Sequence, residues 1–486
     1  MNLKQKSIKG LLWDFIGRIG LQGVGFFVSI ILARILAPED FGLLAIIMVI
    51  ISLASVFLDF GFSTALIQRS EVNDSHYASV FYLNVAMGFL LATFIFFTAP
   101  FIADFYENNL LTNLIRLMSL SFIVNSFGNV TRAHLRREMN FKLISLSNVI
   151  AAFFSGTLAV YMAWAGYGVW SLAVQSIVNQ LIANVILYIY SKFRHSLKFS
   201  FQSIKELWSF SSKIFFSGLI DTLFINADSL IIGKLLNPAT LGYYYRAKSL
   251  ENFSSRYTSS TISSVLLPGL SSLQNDKARL KHAVLKIFHL LSFISFLGCG
   301  LLLVTGHEII ILLFSDKWEP SVIFFQIIIA GAFSSQIYDV FYNTLLSTGN
   351  IGKHLTINII NKPFLVINFI SLFIWGINIY LVIFSFIRII PFLLGMIFVT
   401  KLLNFGKILY METIKYLFIY ILTTGIIFYC KFTIPITNLI NCFIVTSAMF
   451  CLSYIVISYM MNVQGLYIFK NEIIKPAIIK LSKNRT

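Results

Sequence analysis

The sequence predicts an all-α integral membrane protein, and three observations support this prediction. The 486 residues are 57% apolar and only 12% charged, and their mean hydropathy is +0.82. A soluble globular domain has about 45–50% apolar and about 25% charged residues. Long apolar stretches follow one another along the chain, and the two-residue alternation of β-strands is absent from them. The composition therefore excludes an ordinary soluble enzyme, a disordered chain and a secreted disulfide scaffold.

The apolar stretches divide into about fourteen transmembrane helices, because one bilayer-spanning helix needs about 20 mostly apolar residues. Turn-forming residues separate the stretches, as at Pro38-Glu39-Asp40, Asn237-Pro238 and Gly349-Asn350. The predicted helices cover residues 11–36, 41–66, 78–103, 112–131, 143–165, 169–191, 207–236, 241–268, 287–306, 321–346, 355–376, 379–400, 413–430 and 437–461. The loops between them are short, which leaves no room for a soluble domain.

Positive charge is distributed unevenly between the predicted loops. The chain has 37 Lys and Arg against 20 Asp and Glu, a net charge of +17. If the N-terminal side is called inside, 25 of these cations fall in inside segments, whereas outside loops hold only Lys317 and Lys431. Cytoplasmic loops of membrane proteins are enriched in Lys and Arg, so both termini are predicted to be cytoplasmic. The basic charge thus reports topology, and no nucleic-acid partner is expected.

The sequence also contains an internal repeat with a period of about 200 residues. Residues 29–42 align without a gap on residues 229–242, with five identical positions. The repeat predicts two parallel six-helix units, with a transport site at the seam between them and two helices added at the C-terminus. The most informative paired positions are Pro38/Pro238, Gly42/Gly242, Arg34/Lys234 and Arg18/Lys213. The predicted domains are an N-terminal lobe at residues 1–200, a C-terminal lobe at 201–405, and two further helices with a basic cytoplasmic tail at 406–486.

Several charged residues fall inside predicted helices, where facing lipid would cost roughly 2.5–3.5 kcal/mol for each. In the first helix Asp14, Arg18 and Gln22 recur every fourth residue and form one polar stripe. Lys213 and Asp221 belong to a matching stripe in the seventh helix, so the two stripes predict a net cationic cavity for an anionic ligand. The candidates for binding an anionic head group are Arg18, Lys213, Arg246, Lys248, Arg256 and Arg388. The candidates for ion coupling or ion pairing are Asp14, Asp59, Asp221, Asp228, Glu251 and Asp339.

A purely structural role is the alternative for these charges. Asp14 and Arg18 are four residues apart on a helix and can pair with each other. Asp228 and Arg246 lie at similar depths on either side of a turn, so they can pair between two helices. The sequence leaves both interpretations open.

Seven stretches resemble one known family. They are residues 33–42 (ARILAPEDFG), 58–69 (LDFGFSTALIQR), 137–142 (REMNFK), 167–172 (YGVWSL), 227–233 (ADSLIIG), 241–246 (LGYYYR) and 267–274 (LPGLSSLQ). In them the chain resembles the polysaccharide-transporter family of lipid-linked oligosaccharide flippases, in the multidrug/oligosaccharidyl-lipid/polysaccharide exporter superfamily. Its branch of colanic-acid and teichuronic-acid exporters is the most similar.

This resemblance implies a flippase that moves an undecaprenyl-diphosphate-linked oligosaccharide across a bacterial plasma membrane, from the cytoplasmic to the periplasmic leaflet. It implies alternating access of two lobes and no enzymatic activity. No catalytic residue, metal site or cofactor is expected, while coupling to protons or Na⁺ is allowed. The expected partners are the lipid-linked oligosaccharide, membrane lipid and polysaccharide polymerase machinery, and a monomer is expected. The alternatives are a drug/cation antiporter of the same superfamily and an integral-membrane polysaccharide polymerase or ligase.

Overall fold

The computed structural model describes residues 3–191, 193–194, 196, 198–433 and 438–476, and their side chains except those of residues 3–12, 255–265, 268 and 473. Throughout this part of the chain the regular elements are helices, which confirms the predicted all-α fold class. The chain forms two compact units, Met1–Tyr245 and Arg246–Thr486, here called unit 1 and unit 2.

Unit 1 is a bundle in which α4 packs on α5, α1 on α6, and α6 on α7, while α8 packs on α2. Side chains at the helix starts explain several boundaries: Asn73 accepts a hydrogen bond from the backbone N–H of His76, and Ser200 accepts one from Ser203. The helices are α1 Leu3–Ile35, α2 Pro38–Asp59, α3 Phe62–Gln68, α4 Asp74–Phe105, α5 Leu110–Arg137, α6 Phe141–Trp164, α7 Val169–Tyr190, α8 Phe201–Leu235 and the first part of α9 Pro238–Ser271.

Unit 2 is built around α10, which packs on α13, α16 and α18. Its core is aromatic: the Phe296 ring stacks on Phe333 at 4.4 Å and on Tyr416 at 6.0 Å between ring centroids. After α9 its helices are α10 Lys277–Val304, α11 Gly306–Phe314, α12 Pro320–Ala330, α13 Phe333–Ser347, α14 Ile351–Ile387, α15 Ile389–Leu403, α16 Ile408–Thr433, α17 Leu439–Met460 and α18 Gln464–Phe469. The lobes predicted at 1–200, 201–405 and 406–486 stay a prediction.

Within the described residues, 12 helical segments are long and apolar enough to cross a membrane. Two features explain why this number is lower than the predicted fourteen. Residues Ile351–Leu403 count as one segment although Gly376 interrupts α14 with a φ of 78°, and the charge-rich α9 is not among the 12. The chain is thus a multi-pass membrane protein, and the count of fourteen stays a prediction.

Three predicted segments differ in detail from the structure. The helix predicted at 41–66 is interrupted because Phe60 and Gly61 take left-handed φ values of 50° and 79°. The span predicted at 321–346 is present as one candidate segment, Pro320–Ser347, within which Gly331 separates α12 from α13. The outside loop predicted at about 307–320 is largely helical, since α11 and a short 3₁₀ turn occupy it.

The two copies of the repeat meet each other at the N-terminal ends of α2 and α9. A Cβ atom added to Gly42 would overlap the carbonyl oxygen of Pro238, with the carbonyl carbon 2.7 Å away. A Cβ atom added to Gly242 would overlap the carbonyl oxygen of Pro38, with that carbonyl carbon 2.8 Å away. Each glycine therefore packs on the proline of the other copy, and the repeated Pro-x-x-x-Gly spacing is what permits this close reciprocal contact.

A buried ion pair joins α11, α16 and α17 in unit 2. Lys431 Nζ lies 2.8 and 2.9 Å from the two carboxylate oxygens of Glu308, and Cys442 Sγ lies 3.2 Å from one of them. Burial of Glu308 opposes its charged form, but the hydrogen bonds from Lys431 outweigh burial and hold the pKa of this carboxyl below its ordinary value.

We expect Lys431→Met to lower the melting temperature of the detergent-solubilised protein by several degrees at pH 7, because it leaves the Glu308 carboxylate buried without its cation. A lowered pKa in the folded state gives stability that is complete above the unfolded value, near 4.5, and is lost as pH falls through the folded value. The carboxyl left without Lys431 takes up a proton at higher pH than the paired one, so the difference between wild type and variant should shrink steadily as pH falls from 7 and be gone below the folded pKa of the wild type in thermal-unfolding scans. A difference that stays constant down to pH 3 would contradict this account.

Candidate transport site

The polar stripe of α1 contains an ion pair on the surface of unit 1. Arg18 Nε lies 2.8 Å from Asp14 Oδ2, and the two side chains are 66% and 31% exposed. The pairing predicted from their four-residue spacing is therefore present. The guanidinium nevertheless remains accessible, because most of the Arg18 side chain is uncovered within unit 1.

The matching stripe of α8 lines an open cavity. Lys213, Ser217 and Asp221 share this cavity of about 390 Å³ with Phe210 and other residues of the same helix. Lys213 and Asp221 are both exposed, and both lie in the interior of a 35-residue helix. Unit 1 thus presents the two repeat-related cations, Arg18 and Lys213, on uncovered helix faces.

Asp228 is buried at the other end of α8. Its carboxylate accepts hydrogen bonds from the Tyr244 hydroxyl and, at 2.7 Å, from the Ser229 backbone N–H. Only 5% of Asp228 is exposed. A hydrogen-bonding role between α8 and α9 within unit 1 is the direct consequence of this geometry.

Arg246 in α9 lies against aromatic rings of unit 2. Its guanidinium carbon is 4.6 Å from the ring centroid of Phe314 and 4.9 Å from that of Trp318. Arg246 is buried and Lys248, on the following half-turn, is half-buried. Cation–π contacts of this kind hold a guanidinium in place within an apolar setting.

Glu251 and Arg388 form a buried ion pair in unit 2. Arg388 Nη2 lies 2.9 Å from Glu251 Oε1 and donates to the Ser335 hydroxyl at 2.9 Å. The Arg388 side chain is 17% exposed and the Glu251 side chain is 6% exposed. The structure therefore brings together one predicted head-group cation and one predicted coupling acid, which lie far apart in the sequence.

The remaining candidate residues are Asp59, Asp339 and Arg256. The Asp59 carboxylate accepts hydrogen bonds from the backbone N–H of Ser63 at 3.1 and 3.2 Å and from Asn84 at 3.4 Å. It therefore caps the start of α3. Asp339 is half-buried in α13, where its carbonyl oxygen accepts from Asn343. The side chain of Arg256 lies outside the described residues.

Sequence reasoning missed one polar cluster, at the inner end of unit 1, meaning the end at which α4 and α8 begin. Arg69 Nη2 lies 2.5 Å from Glu206 Oε2, and His76 Nε2 lies 3.2 Å from the same oxygen. Arg137 donates to three backbone carbonyls in the last turn of α3 and just after it, those of Leu66, Arg69 and Ser70. These charges were assigned to topology alone, although Glu206 lies seven residues before Lys213 and thus on the same helix face.

Known proteins share sequence with part of this chain. It is 28% identical over 334 residues to the lipopolysaccharide biosynthesis protein WzxC of Escherichia coli (strain K12), covering 68% of this chain and 67% of the relative. It is 28% identical over 275 residues to the succinoglycan biosynthesis transport protein ExoT of Rhizobium meliloti (strain 1021), covering 56% and 55%. The chain thus aligns with about two thirds of the first relative's length and just over half of the second's.

The fold is also found among solved structures. The lipid II flippase MurJ, in an inward closed conformation, superposes with a TM-score of 0.75 over 94% of this chain and 99% of that chain, at 16% identity. At this identity the match shows the fold alone. In addition, the sequence family described as "Polysaccharide biosynthesis protein" matches residues 31–323, which is more than half of the chain. The chain therefore belongs to the polysaccharide biosynthesis protein family.

Proposed function

We propose that the protein is a flippase for an undecaprenyl-diphosphate-linked oligosaccharide, and that it serves surface polysaccharide biosynthesis without being an enzyme. One observation supports this function above the others. Two repeat-related cations, Arg18 and Lys213, lie uncovered on apolar membrane-spanning helices of a chain that belongs to a polysaccharide biosynthesis family. Cations in such positions avoid lipid and mark a substrate path.

The chemistry of the cargo requires cations of this kind. A diphosphate that crossed hydrocarbon without partners would lose its hydration at a very large cost in free energy. Guanidinium groups bind phosphate oxygens through two parallel hydrogen bonds and keep their charge at all physiological pH values. In the proposal Arg18, Lys213, Arg246, Lys248, Arg256 and Arg388 serve the head group, while the prenyl chain stays in lipid. Asp14, Asp59, Asp221, Asp228, Glu251 and Asp339 remain candidates for ion coupling or ion pairing.

The test is transport by the purified protein in liposomes that contain a radiolabelled lipid-linked oligosaccharide. External periodate, which does not cross the membrane, oxidises the sugars of the outer leaflet. With the protein we expect oxidation to continue until the inner-leaflet sugars are consumed. Oxidation that stops at the outer leaflet, under proton or Na⁺ gradients of either sign, would refute a flippase. Uptake of a cationic dye or growth of a polymer in the same liposomes would favour the antiporter or polymerase alternative.

The proposal includes an orientation and a coupling mode. Both termini are placed in the cytoplasm of a bacterium, and the protein is proposed to act as a monomer driven by protons or Na⁺. The charge bias of the loops supports the orientation. Polysaccharide polymerase machinery is the proposed recipient of the cargo.

We expect Arg18→Gln and Lys213→Gln each to lower the initial rate of periodate-accessible transport at least tenfold, because each removes one cation from the proposed head-group path. Their melting temperatures should change little, since the Arg18 pair is exposed and Lys213 is exposed. A matched control is Arg279→Gln, which breaks another exposed local ion pair, Arg279 with Asp276, at 3.3 Å. Wild-type transport in a folded Arg18→Gln variant would remove that residue from the path.

A further inference from the structure

An open polar cavity of about 630 Å³ lies at the inner end of unit 1. Its walls come from the segment between α3 and α4, the first turn of α4, the end of α5 and the start of α8. Val72 is the single apolar residue among those that line it; the others offer hydroxyl, amide, carboxylate, guanidinium or imidazole groups. Pockets for small ligands commonly measure about 300–1,000 Å³ and are mostly apolar, so this one has an ordinary size and an unusual lining.

The two guanidinium groups of this cavity are satisfied by the protein itself. Arg69 pairs with Glu206 at 2.5 Å, and Arg137 is held by three backbone carbonyls. A phosphate would therefore have to displace existing ion pairs to bind here. The Ser75 hydroxyl contacts Asn73 at 2.8 Å and Ser203 at 3.0 Å, and the exposed Gln202 amide lies 3.4 Å from Glu206. Because hydroxyl and amide groups both donate and accept, these side chains can bind a ligand hydroxyl without breaking an ion pair. The lining thus fits an uncharged ligand that carries many hydroxyl groups, which is a carbohydrate.

The inner-end cavity and the cavity around Lys213 lie along one face of α8. Gln202, Glu206, Phe210, Lys213 and Ser217 follow at steps of three or four residues and lie on one face of the helix. The first two line this cavity, and the last three line the cavity around Lys213. At about 1.5 Å per residue, Glu206 and Lys213 are about 10 Å apart along the helix axis, which is about the length of a disaccharide.

We propose that the inner-end cavity of unit 1 is a carbohydrate-binding subsite, which holds the sugars of the cargo while its diphosphate reaches Lys213. This inference rests on the proposed function for the identity of the cargo, but the sugar-binding site itself is testable without transport. Its ligand is the glycan part alone, bound through hydroxyl groups, and neither the diphosphate nor the prenyl chain contributes to binding in this cavity.

The test uses chemical protection of one introduced thiol. Ser75, half-buried in the cavity wall, is replaced in S75C after Cys299, Cys430, Cys442 and Cys451 are changed to alanine. The probes are the oligosaccharide that mild acid releases from the host's own lipid-linked pool, and inorganic pyrophosphate. We expect millimolar oligosaccharide to slow maleimide labelling of S75C at least threefold and pyrophosphate to leave it unchanged.

Two further variants make the result specific. T433C, an exposed position at the end of α16, should show no protection by the oligosaccharide. Adding Gln202→Ala to S75C should raise the half-protecting concentration severalfold; Gln202 is exposed, and its amide lies 3.4 Å from Glu206. Protection by pyrophosphate alone, equal protection of T433C, or no protection at all would each overturn the subsite.

The outcomes for the subsite and for the flippase remain distinguishable. Transport is assayed in parallel on the wild-type protein with external periodate. Transport without protection leaves the flippase standing and refutes the subsite. Protection without transport supports a carbohydrate site and refutes the flippase.

Discussion

Replacing Gly42 with alanine is expected to lower the melting temperature of the protein by at least 5 °C. The added Cβ would overlap the carbonyl oxygen of Pro238 and lie 3.2 Å from the backbone nitrogen of Gly242. Both neighbours are backbone atoms, so no side-chain rotation can relieve the overlap. Overpacking of this kind costs about 1–3 kcal/mol, and more where helices have to separate.

The reciprocal geometry gives a second, sharper expectation. Gly242→Ala should cost about as much as Gly42→Ala, since its Cβ would meet the Pro38 carbonyl in the same way. Once one substitution has separated α2 from α9, the second meets less resistance, so the double variant should cost clearly less than the sum. Additive melting-temperature losses for the two single variants would contradict a shared contact.

A matched control exists in the same unit. Gly23 lies inside α1, and an added Cβ there meets nothing within 4 Å. Alanine has a higher helix propensity than glycine by about 0.5–1 kcal/mol, so Gly23→Ala should leave the protein unchanged or slightly more stable. The change in melting temperature should therefore differ in sign as well as in size between Gly42→Ala and Gly23→Ala.

Arg388→Met is expected to cause a loss of about 3–5 kcal/mol in unfolding free energy, because it removes the guanidinium that pairs with the buried Glu251 carboxylate. The Glu251 side chain is only 6% exposed, so water cannot replace the lost guanidinium. Differential scanning fluorimetry in detergent would measure the loss. The double variant Arg388→Met/Glu251→Leu should recover most of the stability, since it removes the buried Glu251 charge together with its guanidinium partner.

Transport by the double variant decides the role of Arg388. If Arg388 serves the head group as proposed, the double variant should be stable and still transport at least tenfold more slowly than wild type. Recovery of both stability and transport would show that the ion pair is structural only. Lys234→Met is the control, because it breaks an ion pair of similar length, 2.8 Å to Glu107, whose carboxylate is 82% exposed. Its melting temperature should match that of wild type.

The sequence predicted the fold class and the family well, because both depend on features that extend along the chain. Mean hydropathy, the spacing of apolar stretches and motifs such as residues 33–42 are local, and the structure and comparisons confirm what they indicated. Helix breaks were harder. The interruption at Phe60 and Gly61 depends on backbone angles that the Asp59 carboxylate supports by capping α3.

In the candidate site, contacts within one helix were predictable from the sequence, whereas contacts between distant segments were not. Helical periodicity was enough to predict the Asp14–Arg18 pair and the shared face of Lys213 and Asp221, because partners on one helix are fixed by 3.6 residues per turn. The pairing of Glu251 with Arg388 joins residues 137 positions apart, and no local pattern indicates it. No local pattern indicates the cluster of Arg69, His76 and Glu206 either. Their cavity forms only where the ends of several helices lie next to one another.

By itself, the sequence determined that this chain is a multi-pass helical membrane protein with an internal repeat and charged stripes. Those properties follow from amino-acid composition and from the spacing of residues along the chain. Neither depends on how the helices pack against one another. Only the tertiary structure decided which charges are buried pairs, which are uncovered, and that Gly42 and Gly242 each pack on the other copy's proline. The physical reason is that burial and pairing depend on what lies across a helix interface. The one-dimensional pattern shows which face is polar but not what that face meets.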